Sequence, residues 1–177
     1  MHNNMDNRLT IQEINNEFSS NSELARALFQ KSSLGEKKES KIVYSIYEVL
    51  YLIQIKKAEL IKQSKNISFD ELLKRYNKKD KRIEQKYKVF KDLKQKGYTL
   101  KAGLKFGVDF RCYEKGQKPG VNHAKYLVGI IEEKNKINPE DFCSKARIAH
   151  STAKTLLLAI IDSEDDITYF EVNWKKP

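Results

Sequence analysis

The 177-residue chain is poor in the residue types that organise small scaffolds: two cysteines, three prolines and seven glycines. Cys112 and Cys143 have no partner cysteine close in sequence. That excludes a zinc knot and speaks against a disulfide scaffold. No apolar run approaches 18 residues, so a membrane span is excluded. The start, MHNNMDNRLT, has neither the apolar core of a signal peptide nor the character of a transit peptide, and a cytoplasmic protein is expected. Histidine is scarce as well: His2, His123 and His150 form no H-E-x-x-H and no cluster with carboxylates at ligand spacing, so no metal site is expected. P-loop, dinucleotide-binding and G-x-S-x-G patterns are missing, nothing calls for a cofactor, and no internal repeat or low-complexity segment occurs.

What the chain does have is positive charge. Thirty-four Lys and Arg against 24 Asp and Glu leave a net +10. Such an excess points to a polyanionic partner, nucleic acid being the commonest. Lysine enrichment also follows from an AT-rich genome or from thermophily, so charge leaves both readings open. With 40% hydrophobic residues, the chain is long enough to bury one core or two small ones.

Periodicity and caps divide it near residue 81. Ser22 precedes an amphipathic ELARALFQK. Ser45-Ile46-Tyr47-Glu48 and Ser68-Phe69-Asp70-Glu71 both have the S-x-x-E form of a capping box, and AELI at 58–61 reads as a short strand. Residues 1–81 therefore read as a small α-rich N-terminal domain. A helix over about 80–96 carries Ile83, Tyr87, Phe90 and Leu93 on one face and ends at Gly97, a residue suited to a left-handed C-cap. The period then drops to two: residues 98–100, 105–113 and 124–131 read as strands. Asn138-Pro139-Glu140-Asp141 opens a second helix, and KTLLLAII and ITYFEVNW are strands joined by the acidic turn DSEDD. Residues 82–177 thus read as an α/β domain with a mixed sheet flanked by helices.

Without metal or cofactor, the chemistry left to this chain is acid–base chemistry. In FGVDFRCYEKGQKPGVNHAKYLV, Tyr113 closes one strand-like half and His123 opens the other around a Gly/Pro-containing loop. Taken alone, Tyr113 reads as a core or rim residue, His123 as one loop residue among others, and Lys154 as one of many solvated lysines.

The spacing resembles a known pattern. Gly97-x5-Gly103-x-Lys105-Phe106-Gly107-x-Asp109-Phe110-x-x-Tyr113 is similar to the signature of archaeal tRNA-intron splicing endonucleases. So is His123-x-x-Tyr126-Leu127-Val128, and Arg147-x-Ala149-His150-Ser151-x-x-Lys154 completes three blocks in register. The resemblance covers about residues 82–177; before that it is loose, mainly in residues 48–52. It implies an α+β protein whose C-terminal domain is a nuclease. It also implies catalytic Tyr113, His123 and Lys154, no metal, and precursor tRNA with a bulge-helix-bulge junction as substrate.

The chemistry agrees with these residues. When an RNA 2′-OH attacks the adjacent phosphorus, it needs a base, an acid for the departing 5′-oxygen, and a cation for the growing phosphate charge. His123 suits the acid, Lys154 supplies charge, and Tyr113 serves as base only with a cation beside it. The resemblance further implies that Arg147 clamps a flipped-out base, with Trp174 as its aromatic partner; Trp174 packed at an interface is the other reading. His150 reads as structural, hydrogen-bonded near a helix end, and Cys112 as packing on the face opposite Tyr113. Asp162, Glu164, Asp165 and Asp166 are implied to enter a basic pocket of a neighbouring subunit; otherwise they form a solvated turn. One chain carries one catalytic set and the substrate two cuts, so a homotetramer or a pairing with a paralogous subunit is expected. A non-catalytic RNA-binding or structural subunit is the alternative function.

Overall fold

A computed structural model describes residues 8–175; His2 lies outside them. The chain divides between Glu84 and Gln85 into two compact units.

The first unit is built on a mixed six-stranded sheet and is not α-rich. Its elements are β1 (Leu9–Ile14), β2 (Glu17–Ser20), α1 (Glu23–Ser32), β3 (Glu36–Lys38), β4 (Lys41–Tyr44), α2 (Ile46–Gln54), β5 (Ala58–Lys62), β6 (Lys65–Ile67) and α3 (Phe69–Asn77). The strands lie in the order β3-β4-β2-β1-β5-β6, and only β1 and β5 run parallel. Sequence patterning finds the three helices and β5 but misses the other strands for a physical reason. Two of the hairpins turn on Asn15-Asn16 and Gln63-Ser64, whose φ angles are 51°, 62°, 47° and 64°. Those left-handed pairs make tight turns without the glycine that normally announces one. Both expected helix starts are capped. Ser45 and Glu48 form the full reciprocal box, whereas Ser68 only accepts from the Glu71 N–H.

The second unit carries the site. Helix α4 (Ile83–Gln95) is followed by β7 (Thr99–Ala102), a 3₁₀ turn (Leu104–Phe106), β8 (Phe110–Tyr113), β9 (Tyr126–Glu132), α5 (Pro139–Ser151), β10 (Thr155–Ile161) and β11 (Ile167–Val172). The sheet order is β11-β10-β9-β8-β7. Only β9 and β10 are parallel, because α5 carries the chain back between them; the other neighbours pair antiparallel. α4 buries Tyr87, Val89, Phe90 and Leu93, and the Phe90 ring lies 5.9 Å from that of Phe110. Ala146 and Ala149 of α5 pack with Val108, Leu127, Leu156 and Leu158. Asn138 caps α5 by accepting from the Glu140 and Asp141 N–H groups, and Gly97 closes the α4 end at φ 93°.

One strand is shorter than expected. Residues 105–109 are not extended: Gly107 sits at φ 66°, and the Gly103 carbonyl accepts from the Phe106 N–H at 2.8 Å, folding the segment into the 3₁₀ turn. Among the described residues, no helix is long and apolar enough to cross a membrane.

Candidate active site

Strand polarity puts the elements that carry the three expected residues at one end of the sheet. β8 ends at Tyr113, the loop holding His123 runs on into β9, and Lys154 immediately precedes β10. Because β9 is antiparallel to β8 and parallel to β10, the C-terminal end of β8 and the N-terminal ends of β9 and β10 lie at one end of the sheet. The register aligns them further. Cys112 pairs with Tyr126, and Tyr126 with Thr155, so one position further out Tyr113, Lys125 and Lys154 stand in a row. Backbone bonds hold that row: the Lys125 N–H donates to the Cys112 carbonyl and the Thr155 N–H to the Lys125 carbonyl, both at 3.0 Å.

Each member sits differently. Tyr113 is only 4% exposed, whereas His123 is exposed. The loop before His123 is ordered by its own bonds: Asn122 Oδ1 accepts from the Lys118 N–H, and the Asn122 N–H donates to the Lys118 carbonyl, both at 2.9 Å. Lys154 is half-buried. Its backbone N–H donates to the Ala149 carbonyl at 2.8 Å while the Ala153 N–H donates to His150. This closes α5 in a Schellman-type turn, with Ala153 at φ 53° in the place glycine usually takes. The Lys154 ammonium donates to the Thr152 carbonyl at 2.7 Å and lies 5.4 Å from the centre of the Phe106 ring. The 3₁₀ turn that shortens the expected strand therefore places an aromatic face against the lysine.

Sequence reasoning missed Lys125 and Phe106. Lys125 Nζ donates to Glu114 Oε1 at 2.5 Å and lies 5.0 Å from the Tyr126 ring centre, so an ion pair ties the two ends of the His123 loop. The Glu114 bond first, and Tyr126 second, push the Lys125 pKa upward, and the side chain stays cationic. Only the sheet register reveals it as the residue between Tyr113 and Lys154. Tyr126 plays a structural part, since its hydroxyl donates to Glu171 Oε1 at 2.7 Å and burial raises its pKa. Cys112 is fully buried, and burial pushes its thiol up to about 12. Among the described residues, no group of three His, Cys, Asp or Glu side chains is placed to hold a metal ion.

A motif glycine and the motif aspartate have structural work where β7 gives way to β8, at the strand ends away from Tyr113. A Cβ on Gly103 would come within 2.8 Å of the Val108 carbonyl oxygen and 2.9 Å of the Phe110 carbonyl carbon. Asp109 Oδ2 accepts from the Ile130 N–H at 2.9 Å, and its other oxygen lies 3.7 Å from Lys86 Nζ.

Known proteins resemble the chain over most of its length. Residues 83–169 match the family described as tRNA intron endonuclease, catalytic C-terminal domain. The chain is 39% identical over 154 residues to a tRNA-splicing endonuclease of Methanothermobacter thermautotrophicus, covering 87% of this chain and 89% of that one. It is 34% identical over 159 residues to the one of Thermococcus kodakarensis, covering 90% and 93%. It is 37% identical to the one of Nanoarchaeum equitans, covering 85% and 97%. The chain belongs to the tRNA-splicing endonuclease family.

The remaining expected residues of this family member fall in two places. Arg147 is exposed on α5, and His150 follows it by three residues, which puts both on one side of the helix. Trp174, 46% exposed, lies against His150 with ring centres 4.8 Å apart, so the histidine is an aromatic neighbour of the tryptophan. The acidic turn stands at the other end of β10, about 26 Å from Lys154 along the strand. Asp162 Oδ1 accepts from the Glu164 and Asp166 N–H groups, both at 2.9 Å, and so shapes the turn. Asp165 pairs with Lys88 of its own chain. Glu164 and Asp166 remain exposed.

Proposed function

We propose that this member of the tRNA-splicing endonuclease family cuts precursor tRNA at its intron–exon junctions, in bulge-helix-bulge RNA, by transesterification without metal. The phenolate of Tyr113 takes the proton from the 2′-OH as its oxygen bonds to phosphorus. The bond from phosphorus to the 5′-oxygen breaks, and His123 gives that oxygen a proton. The products are a 2′,3′-cyclic phosphate and a 5′-OH. Lys154 opposes the negative charge that builds on the phosphate. The observation that carries this reading is the convergence of three strand ends into one row. A phenol works as a base only where a cation favours its charged form, and Lys125 and Lys154 both stand along that row.

Arg147 and Trp174 are the groups proposed to hold the bulged nucleotide, by guanidinium and indole stacking. Two cuts per substrate and one catalytic set per chain point to a cytoplasmic homo-oligomer, a tetramer with two working sites. Asp162 and Asp165 already have work within their own chain, so Glu164 and Asp166 are the carboxylates best placed to reach a neighbouring basic pocket.

The test uses bulge-helix-bulge RNA in excess EDTA. Cleavage should persist and leave 2′,3′-cyclic phosphate ends. A 2′-deoxy nucleotide 5′ to the cut should abolish cleavage while leaving binding nearly intact. Cutting of the deoxy substrate, or a need for added Mg²⁺, would show the mechanism to be wrong.

A further inference from the structure

The positive charge of the chain is not spread evenly. Residues 74–96 hold eleven Lys or Arg and three Asp or Glu, a local +8 out of the +10 of the whole chain. Lysine enrichment from base composition alone would leave no such concentration, since elsewhere basic and acidic residues nearly balance. Within the segment the charges are treated differently. In α4, Lys86 faces Asp109, Lys88 pairs with Asp165, and Lys96 pairs with Asp92 at 2.6 Å. In the stretch from Lys74 to Lys81, at the end of α3, the lysines are treated otherwise.

Lys74, Lys78, Lys79 and Lys81 are all exposed, and none pairs with a carboxylate among the described residues. Lys74 lies in α3, and Lys78, Lys79 and Lys81 follow in the turns at its end; the helix is firmly held. Leu72 is fully buried, Ser68 caps the start, and Arg75 donates to Glu13 Oε2 at 2.6 Å. The Glu13 side chain is 1% exposed and also receives Lys62 at 3.1 Å. Tyr76 packs against Phe18 at 6.0 Å, and Lys79 Nζ lies 5.1 Å from the Tyr76 ring centre. Four lysine charges thus stand close in sequence, on a firmly held helix and the turns just after it, without a carboxylate partner among the described residues.

We infer that Lys74, Lys78, Lys79 and Lys81 of the first unit form a second RNA-binding surface, which grips the phosphate backbone of the precursor outside the junction that is cut. The inference rests on the proposed substrate but not on the catalytic residues. Lysine suits such a grip, because it is a mobile point charge that meets phosphates without reading bases. Its consequence is affinity for long substrates and a steep salt dependence, because each phosphate it neutralises releases counterions.

The experiment compares the wild-type chain with a variant in which all four lysines are changed to glutamine. The two RNAs are a full-length precursor tRNA and a minimal bulge-helix-bulge RNA with short arms. The variant should bind the precursor at least tenfold more weakly at about 0.1 M salt. Its plot of log K against log salt should be shallower by about 3, at about 0.7–0.9 for each phosphate no longer neutralised. The single-turnover cleavage rate of the minimal RNA at saturation should be unchanged, and a matching melting curve confirms that the first unit still folds. Equal affinity and equal salt slope for the precursor would overturn the inference, and so would an equal loss of affinity on both RNAs, which would place the lysines at the junction itself. If the wild type cut neither RNA, the endonuclease reading would fall, while the binding arm would still decide whether these lysines hold RNA.

Discussion

Changing Gly103 to alanine tests whether the turn beneath Lys154 is set by close packing. The added Cβ would lie 2.7 Å from Val108 Cγ2, 2.8 Å from the Val108 carbonyl oxygen and 2.9 Å from the Phe110 carbonyl carbon. A side-chain methyl can rotate away, but two of these three atoms are backbone, and β8 would have to move. Overpacking a tight site costs about 1–3 kcal/mol, and backbone obstacles place this case at the upper end. For a unit of this size, each kcal/mol lowers Tm by about 4–8 °C, so a fall of about 12–24 °C is expected. The turn should shift with it: the Gly103 N–H donates to the Asp109 carbonyl, and its carbonyl accepts from Phe106, whose ring faces Lys154. Cleavage measured well below both melting points should therefore be slower in Gly103→Ala. Gly129→Ala is the control. The nearest atom to its Cβ is Leu158 Cδ2 at 3.4 Å, an ordinary contact, and alanine is about 0.5–1 kcal/mol better than glycine inside a strand. Thermal melts of both variants decide the matter. A Gly103→Ala variant within a few degrees of wild type, or a Gly129→Ala variant as damaged, would refute the packing argument.

Three further outcomes are expected. His123→Ala should lower the single-turnover rate by about 10²-fold or more, and a 5′-thio leaving group, which needs little protonation, should restore much of the loss; no rescue would count against His123 as the acid. Placing lysine at Glu164 and Asp166, which leaves the turn-shaping Asp162 and the Lys88-paired Asp165 in place, should yield a smaller species by sedimentation that has lost cleavage together with assembly, and retention of both size and activity would return the turn to a solvated role. Native protein at pH 8 should react with a thiol reagent at exposed Cys143 only. Burial raises the Cys112 pKa to about 12, so its thiolate is scarce at that pH, and Cys112 should label only on unfolding; rapid labelling of two thiols would contradict that burial.

The sequence alone determined what depends on near neighbours in the chain. Ser22, Ser45, Ser68 and Asn138 marked helix starts, because a cap and the backbone donors it satisfies lie within three residues. The apolar runs of KTLLLAII and ITYFEVNW, split by an acidic turn, marked a strand pair. The three motif blocks placed Tyr113, His123 and Lys154 in one family pattern. The tertiary structure decided what depends on residues far apart. The sheet of the first unit was hidden because its hairpins turn on Asn15-Asn16 and Gln63-Ser64 rather than on glycine, and because its one parallel pair, β1 with β5, joins segments some fifty residues apart. The placement of Lys125 between Tyr113 and Lys154 is a property of strand register, which no single strand contains. Phe106 came to face Lys154 only because Gly103 and Gly107 fold an apparently extended segment into a turn. Local caps and periods are short-range chemistry and can be read along the chain, whereas register and the approach of one strand end to another are set by long-range packing.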